Sequence, residues 1–120
     1  MASIMVHITH GPEHPTRVAL GLLVARTATE EGHDVSLFLA GDAVQLVRDE
    51  TLDAVNGVGT GSAREHFDAL TSAGGRVYLS RMSSNARGIS ETDASAKGAQ
   101  MAAPTDLVRL SLEHDSMFTY

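Results

Sequence analysis

The sequence has no cysteine and no tryptophan among its 120 residues, and only three phenylalanines, two tyrosines and three prolines. Without a thiol, the chain cannot form a disulfide, bind zinc through thiolates or hold sulfur as a persulfide on its own side chains. Basic residues are also few: nine Lys and Arg stand against fifteen Asp and Glu, a formal net charge of −6. Because nucleic-acid binding depends on neutralising phosphates, this charge argues against a nucleic-acid partner.

Long apolar runs are absent as well. A membrane-spanning helix needs roughly 18 or more apolar residues in succession, and no stretch approaches that length. The N-terminal segment MASIMVHITHG lacks the basic residues that precede the apolar part of a signal peptide, and it predicts a first strand instead. We therefore expect a cytoplasmic protein with no membrane partner.

The residues that are present fit one globular domain over 1–120. Hydrophobic residues make up 42% and charged residues 20% of the chain, close to the average for such domains. The predicted strands are 3–9, 33–43, 76–80, 99–103 and 116–120. The predicted helices are 16–32, 42–47, 62–75 and 104–115. The connecting segments are the predicted loops 51–62 and 80–88 and the segment 89–98, which is a loop or a short helix. This alternation predicts an α/β fold with a parallel sheet between helices.

The helix predicted at 16–32 is apolar nearly all round. Its apolar residues are Val18, Ala19, Leu20, Leu22, Leu23, Val24, Ala25 and Ala28. A helix with one side on a sheet and the other in water shows a polar stripe instead. The pattern therefore predicts that another copy of the chain covers the outer face, in a homo-oligomer. The alternative is that small alanine and glycine residues broaden the apolar stripe without any partner.

Polar residues follow three of the predicted strands at the point where each strand ends. The segments are HGPEHPTR after the first strand, GDA after the second and SRMSSNARG after the third. In open α/β sheets, ligands bind at the carboxyl ends of the strands, so these segments predict a binding site. Its candidate residues are His10, Glu13, Arg17, Asp42, Ser80, Ser83 and Arg87.

The histidines of the first segment have two interpretations. His10, Glu13 and His14 offer the nitrogen and carboxylate ligands that suit zinc or nickel. However, Pro12 and Pro15 oppose the regular helix on which such a spacing would bring the ligands together. A solvated loop explains the same residues, and we expect no metal or other cofactor.

The remaining candidates also have alternatives. Arg17 lies near the start of a predicted helix, where backbone amides favour anions, but an ordinary surface arginine would look the same. Ser80 with His10 could supply the nucleophile and base of an enzyme. The GxSxG, Walker A and GxGxxG motifs of common enzyme classes are absent. Arg87 could bind an anion or satisfy loop carbonyls.

Three stretches of the chain together resemble one known family. They are VHITHGPEHPTRVALGLLVARTATEEGHDVSLFLAGDAVQLV, GGRVYLSRMSSNARGI and GAQMAAPTDLVRLSLEHDSMFTY, and their order is similar to that of the DsrE/DsrF-like (YchN-like) family over nearly the whole chain. The resemblance implies a three-layer α/β/α domain with a five-stranded, mainly parallel sheet. It also implies assembly into trimers or hexamers.

The resemblance marks two positions where this chain departs from the family. Sulfur-carrying members have a cysteine at the end of the third strand, seven residues before the Arg of an Arg-Gly pair, and some have a second cysteine three residues later. Counting back from Arg87 places these positions at Ser80 and Ser83. An unactivated serine cannot hold sulfur as a thiolate does.

The resemblance therefore implies a cysteine-free, oligomeric binding or regulatory module that is not itself a persulfide carrier. A small anion or the tail of a protein partner would bind near Ser80, Ser83 and Arg87. One alternative is an enzyme of different chemistry that uses His10 with Ser80 or Asp42. The other is a structural subunit without a working site.

Overall fold

A computed structural model describes all 120 residues of the chain. Its strands are β1 (Ser3–Ile8), β2 (Asp34–Leu39), β3 (Asn56–Gly57), β4 (Gly61–Ser62), β5 (Arg76–Ser80), β6 (Ala99–Ala102) and β7 (Ser116–Thr119). Its helices are α1 (Pro15–Glu30), α2 (Asp49–Ala54), α3 (Ala63–Ser72), α4 (Arg81–Ala86), α5 (Glu91–Ala96) and α6 (Pro104–Glu113), with a 3-10 helix over Gly41–Val47. None of these helices combines the length and the apolar character that crossing a bilayer requires.

The main sheet has five strands in the order β6-β5-β2-β1-β7. Every neighbouring pair in it runs parallel, so the predicted mainly parallel sheet is parallel throughout. The α/β fold with five strands is confirmed. Parallel strands that are covered on both faces read as near-continuous apolar runs, which is why SIMVHI and DVSLFL were recognisable as strands.

Two apolar clusters hold the layers together. On one face of the sheet, 23 buried residues from the strands, the 3-10 helix, α1, α2, α3, α5 and the connecting loops form a single cluster. On the other face, Leu110 of α6 packs against Met5, Phe38 and Ala102. The larger cluster explains why α1 is so apolar, because α1 is packed against the sheet and also against α3 and the β3–β4 hairpin.

This topology brings together the segments that were predicted to carry the site. Because β5, β2 and β1 are neighbours and parallel, the segments that follow them lie side by side at one edge of the sheet. On the other side of β1 lies β7, the last strand of the chain. The direction in which the chain adds strands therefore reverses at β1.

Two predicted loops are partly helical. Residues 49–54 form α2, which begins with two acidic residues and buries Leu52 completely. Residues 81–86 form α4, for which the Ser80 side chain is the N-cap. The prediction of loops there was wrong because each helix is six residues long, too short to show an apolar period. Helix α1 begins at Pro15, one residue before the predicted start, and the fixed φ of proline suits the first turn of a helix.

A surface network of ion pairs joins α2 and α3 to the end of α5. The Arg64 guanidinium contacts Asp49 at 2.8 Å and Asp53 at 2.7 Å, and the Lys97 ammonium also contacts Asp49. Hydrogen bonds from Arg64 and then Lys97 lower the pKa of the Asp49 carboxyl to about 2.

This network predicts how stability depends on acid. Asp49 stays charged in the folded state at a pH where the unfolded chain, with a pKa of 3.8, already takes up a proton. Its contribution to stability is therefore complete above pH 3.8 and is lost as the pH falls towards 2. We expect Asp49→Asn to flatten the acid side of the plot of urea midpoint against pH, with most effect at low salt. A slope unchanged from wild type would contradict this role.

Candidate functional site

Four of the predicted site residues form one hydrogen-bonded cluster where β2 and β5 end. Arg87 donates from Nε to Asp42 Oδ1 at 2.9 Å and from Nη1 to the Ser83 carbonyl at 3.1 Å. The Ser80 Oγ accepts a hydrogen bond from the Ser83 backbone N–H at 3.2 Å. We call Asp42, Ser80, Ser83 and Arg87 the serine–arginine cluster.

The two serine hydroxyls of the cluster also hold the local fold. Ser80 caps α4, and Ser83 Oγ accepts from the backbone N–H of Gly41 at 2.9 Å, which ties α4 to the start of the 3-10 helix. In both cases the hydroxyl oxygen is the acceptor. The hydroxyl hydrogens of Ser80 and Ser83 therefore stay available, and no acceptor within the chain takes them.

Arg87 is held in place on three sides. Besides its bonds to Asp42 and Ser83, its own carbonyl accepts from Arg48 Nη2 at 2.8 Å. The Arg87 side chain also satisfies a backbone carbonyl, that of Ser83, which is one of the two roles that the sequence left open for this residue. Nη2 of Arg87 has no partner in the chain, and the side chain is 31% exposed. One terminal nitrogen thus remains for a ligand.

The segment after β1 lies directly against this cluster. A Cβ atom on Gly11 would stand 2.2 Å from the carbonyl oxygen of Asp42, so only glycine allows the two segments to approach this closely. Glu13 Oε1 accepts from the Gly11 N–H at 2.8 Å, which folds the segment back on itself. His10 and His14 contact each other edge to face, with ring centroids 4.9 Å apart.

His10 does not form the nucleophile–base pair that an enzyme of the Ser–His type needs. Its ring makes no hydrogen bond, and its Nδ1 is buried without a partner, while the Ser80 oxygen is bonded to the Ser83 amide. No group of three or more His, Asp or Glu side chains is placed to hold a metal ion. The histidines of this segment pack against each other.

Arg17 lies apart from the serine–arginine cluster. It lines a separate cleft of about 550 Å³ near the end of β7, together with His14, Thr16, Leu20, Thr119 and Tyr120. It is exposed and makes no ion pair within the chain. The serine–arginine cluster itself lines none of the five clefts of the chain and lies on its open surface.

A Ser–His contact on the opposite face of the sheet was not predicted from the sequence. His114 Nδ1 lies 2.6 Å from the Leu110 carbonyl, so that nitrogen carries the proton, and Nε2 accepts from the Ser36 hydroxyl at 3.0 Å. Ser36 has no exposed surface, so no substrate can reach its oxygen. The pair attaches the end of α6 to the sheet. Because the partners are 78 positions apart, no sequence spacing could reveal the contact.

Comparisons with known proteins agree with this architecture. The YchN protein of E. coli superimposes with a TM-score of 0.78 over 100% of both chains at 22% identity. A conserved protein of unknown function from Bacteroides thetaiotaomicron gives 0.74 over 99% of this chain and 95% of its own, at 10% identity. At these identities the likeness concerns the fold alone, and no curated protein matches the sequence. A sequence model of the DsrE/DsrF-like family matches residues 2–120, and the chain belongs to that family.

Proposed function

We propose that this chain is an oligomeric binding module that takes a small anion at the serine–arginine cluster and does not itself carry sulfur as a persulfide. The observation that carries the proposal is a set of three unused donors: the hydroxyl hydrogens of Ser80 and Ser83 and the Nη2 of Arg87. Donors without acceptors, next to a fixed arginine, suit an oxyanion such as sulfate or phosphate.

The geometry supports binding more than turnover. The Ser80 and Ser83 oxygens accept backbone N–H bonds, and no histidine is bonded to either of them. A serine in that situation is not activated for attack. Its hydrogen can still be donated to a bound anion without disturbing the fold. The cysteine-free chain has no atom that could store sulfane sulfur.

Asp42 has two opposing effects on the affinity of the site for an anion. Its carboxylate holds Arg87 in position, and its own negative charge opposes an incoming anion. The cluster therefore favours weak, reversible binding. Replacing the charge while keeping the acceptor oxygen, as in Asp42→Asn, separates these two effects.

We expect calorimetric titration with sulfate, thiosulfate and phosphate at low ionic strength to show binding that Arg87→Ala weakens roughly tenfold or more, because a charge-assisted hydrogen bond is lost. Asp42→Asn is expected to tighten binding several-fold, because a like charge is removed while Arg87 keeps its partner oxygen. A variant that had merely lost structure could not bind more tightly.

Arg109→Gln is the matched control, because it removes an exposed arginine on α6, outside the cluster. Its affinity should equal that of the wild type. Equal affinities for wild type, Arg87→Ala and Asp42→Asn would exclude the cluster as the anion site. If none of the three anions binds, the proposed function is wrong, and the chain then binds a protein partner or has a purely structural role.

A further inference from the structure

Strand β7 leaves one edge of the sheet open. All four of its residues are exposed, and Met117 and Phe118 keep 39% and 44% of their surface in solvent. Natural edge strands are commonly protected by lysine, proline or a bulge, and β7 has no lysine and no proline. An unprotected apolar edge is a surface to which another strand can pair.

The unpaired backbone groups of β7 can be assigned from its bonds to β1. Tyr120 donates its N–H to His7 and accepts at its carbonyl from the Thr9 N–H, so it faces β1. Because backbone groups alternate along a strand, Phe118 also faces β1, and Met117 and Thr119 point theirs outward. Two donors and two acceptors therefore remain on this edge.

The flank of α1 beside β7 carries a stripe with opposite charges at its ends. It is made of Arg17, Leu20, Leu23, Val24, Thr27 and the C-cap residue Glu31, which line two clefts together with Phe118, Thr119 and Tyr120. Neither Arg17 nor Glu31 makes an ion pair within the chain, whereas their neighbour Glu30 pairs with Arg26 at 3.3 Å. The stripe therefore offers an unpaired cation at one end and an unpaired anion at the other.

The midpoint of the stripe on α1 lies beside the midpoint of β7. Arg17 and Glu31 are each seven positions from Val24, which is about 10 Å along a helix. A Cβ on Gly21 would lie 3.2 Å from Tyr120, and Val24 shares a cleft with Phe118, so Val24 and Phe118 stand at the same level. A two-fold axis through that level would place each charge opposite its complement.

We infer that this surface, β7 with the flank of α1, binds a second copy of the chain by antiparallel pairing of β7 with β7 around Phe118. In that register Met117 of each copy pairs with Thr119 of the other, which satisfies all the outward backbone groups. The helices run antiparallel, so each Arg17 meets the Glu31 of the other copy, with the leucine and valine side chains between them. The inference rests on the self-association in the proposed function and identifies its surface.

Charge exchange tests the pairing through sedimentation or light-scattering mass. In Arg17→Glu both contacts become repulsions between carboxylates, and in Glu31→Arg both become repulsions between cations. Each variant alone should dissociate into particles of half the wild-type mass, with affinity lowered roughly a hundredfold or more. An equimolar mixture of the two variants should reassemble, because every contact across the axis is then between opposite charges. The double variant should assemble by itself for the same reason.

Two further variants act as controls on the geometry. Glu30→Arg makes the same charge change one position away, on a residue that pairs within its own chain, and should keep the wild-type mass. Met117→Pro removes only an N–H that points away from β1, so it should dissociate the assembly while circular dichroism stays unchanged. Wild-type protein of single-chain mass, or a variant mixture that fails to reassemble, would overturn the inference. Anion affinity at the serine–arginine cluster is measured separately, so its loss or retention reports on the proposed function alone.

Discussion

Replacing Gly11 with alanine is expected to lower the free energy of unfolding by about 3 kcal/mol, the upper range for overpacking a tight contact. The added methyl group would stand 2.2 Å from the Asp42 carbonyl oxygen and 2.7 Å from its carbon. Both atoms belong to backbone that opens the 3-10 helix, so neither can move aside by a simple rotamer change. We therefore expect the segments after β1 and β2 to separate, and anion binding to weaken with them.

Gly21→Ala is the matched control for this substitution. Its new methyl group would lie 2.8 Å from Cδ1 at the end of the buried Ile8 side chain and 3.2 Å from the Tyr120 ring, so its nearest contacts are side chains and not backbone. Alanine also favours helix over glycine by roughly 1 kcal/mol, which offsets the remaining strain. Urea denaturation should therefore show little change for Gly21→Ala and a large loss for Gly11→Ala. Equal effects at the two positions would mean that the contact between the two segments is not a tight one.

The second large effect is expected at the Ser36–His114 pair. His114→Leu leaves the fully buried Ser36 hydroxyl without its acceptor, which costs about 1–3 kcal/mol. Adding Ser36→Ala to the same chain removes the stranded hydroxyl, so the double variant should recover most of that loss. A double variant less stable than the single one would show that the serine contributes in another way.

The sequence was sufficient for the main layers of the fold. Strands β1, β2 and β5 and helices α1, α3 and α6 are long apolar patterns that are bounded by glycine or proline, and each lies within a few residues of its predicted range. The short helices α2 and α4 were missed because tertiary contacts determine them. Helix α2 is stable only once Leu52 packs in the core. Helix α4 is stable only once the Ser80 hydroxyl accepts the hydrogen bond from the Ser83 amide.

The candidate site could be predicted only in part. The rule that ligands bind at strand ends placed Asp42, Ser80, Ser83 and Arg87 near one another, and they do form one cluster. The rule could not show that Arg87 would bind Asp42, since that contact joins residues 45 positions apart. It also could not separate Arg17 from the others, because that depends on where β7 is added to the sheet.

Because Arg17 lies apart from the serine–arginine cluster, the chain has two surfaces to which we assign different roles. In our account, the serine–arginine cluster binds an anion, and the flank of α1 with β7 binds another copy of the chain. The two surfaces lie on opposite sides of β1 in the sheet order, so a change at one need not disturb the other.

A map of backbone amide chemical shifts during a titration with phosphate at constant ionic strength tests whether the serine–arginine cluster is the anion site. We expect the largest changes at Gly41, Ser83 and Arg87, and no change at Arg17 and Thr119. Changes centred on Arg17 and Thr119, or no changes at saturating phosphate, would contradict the assignment of anion binding to the serine–arginine cluster.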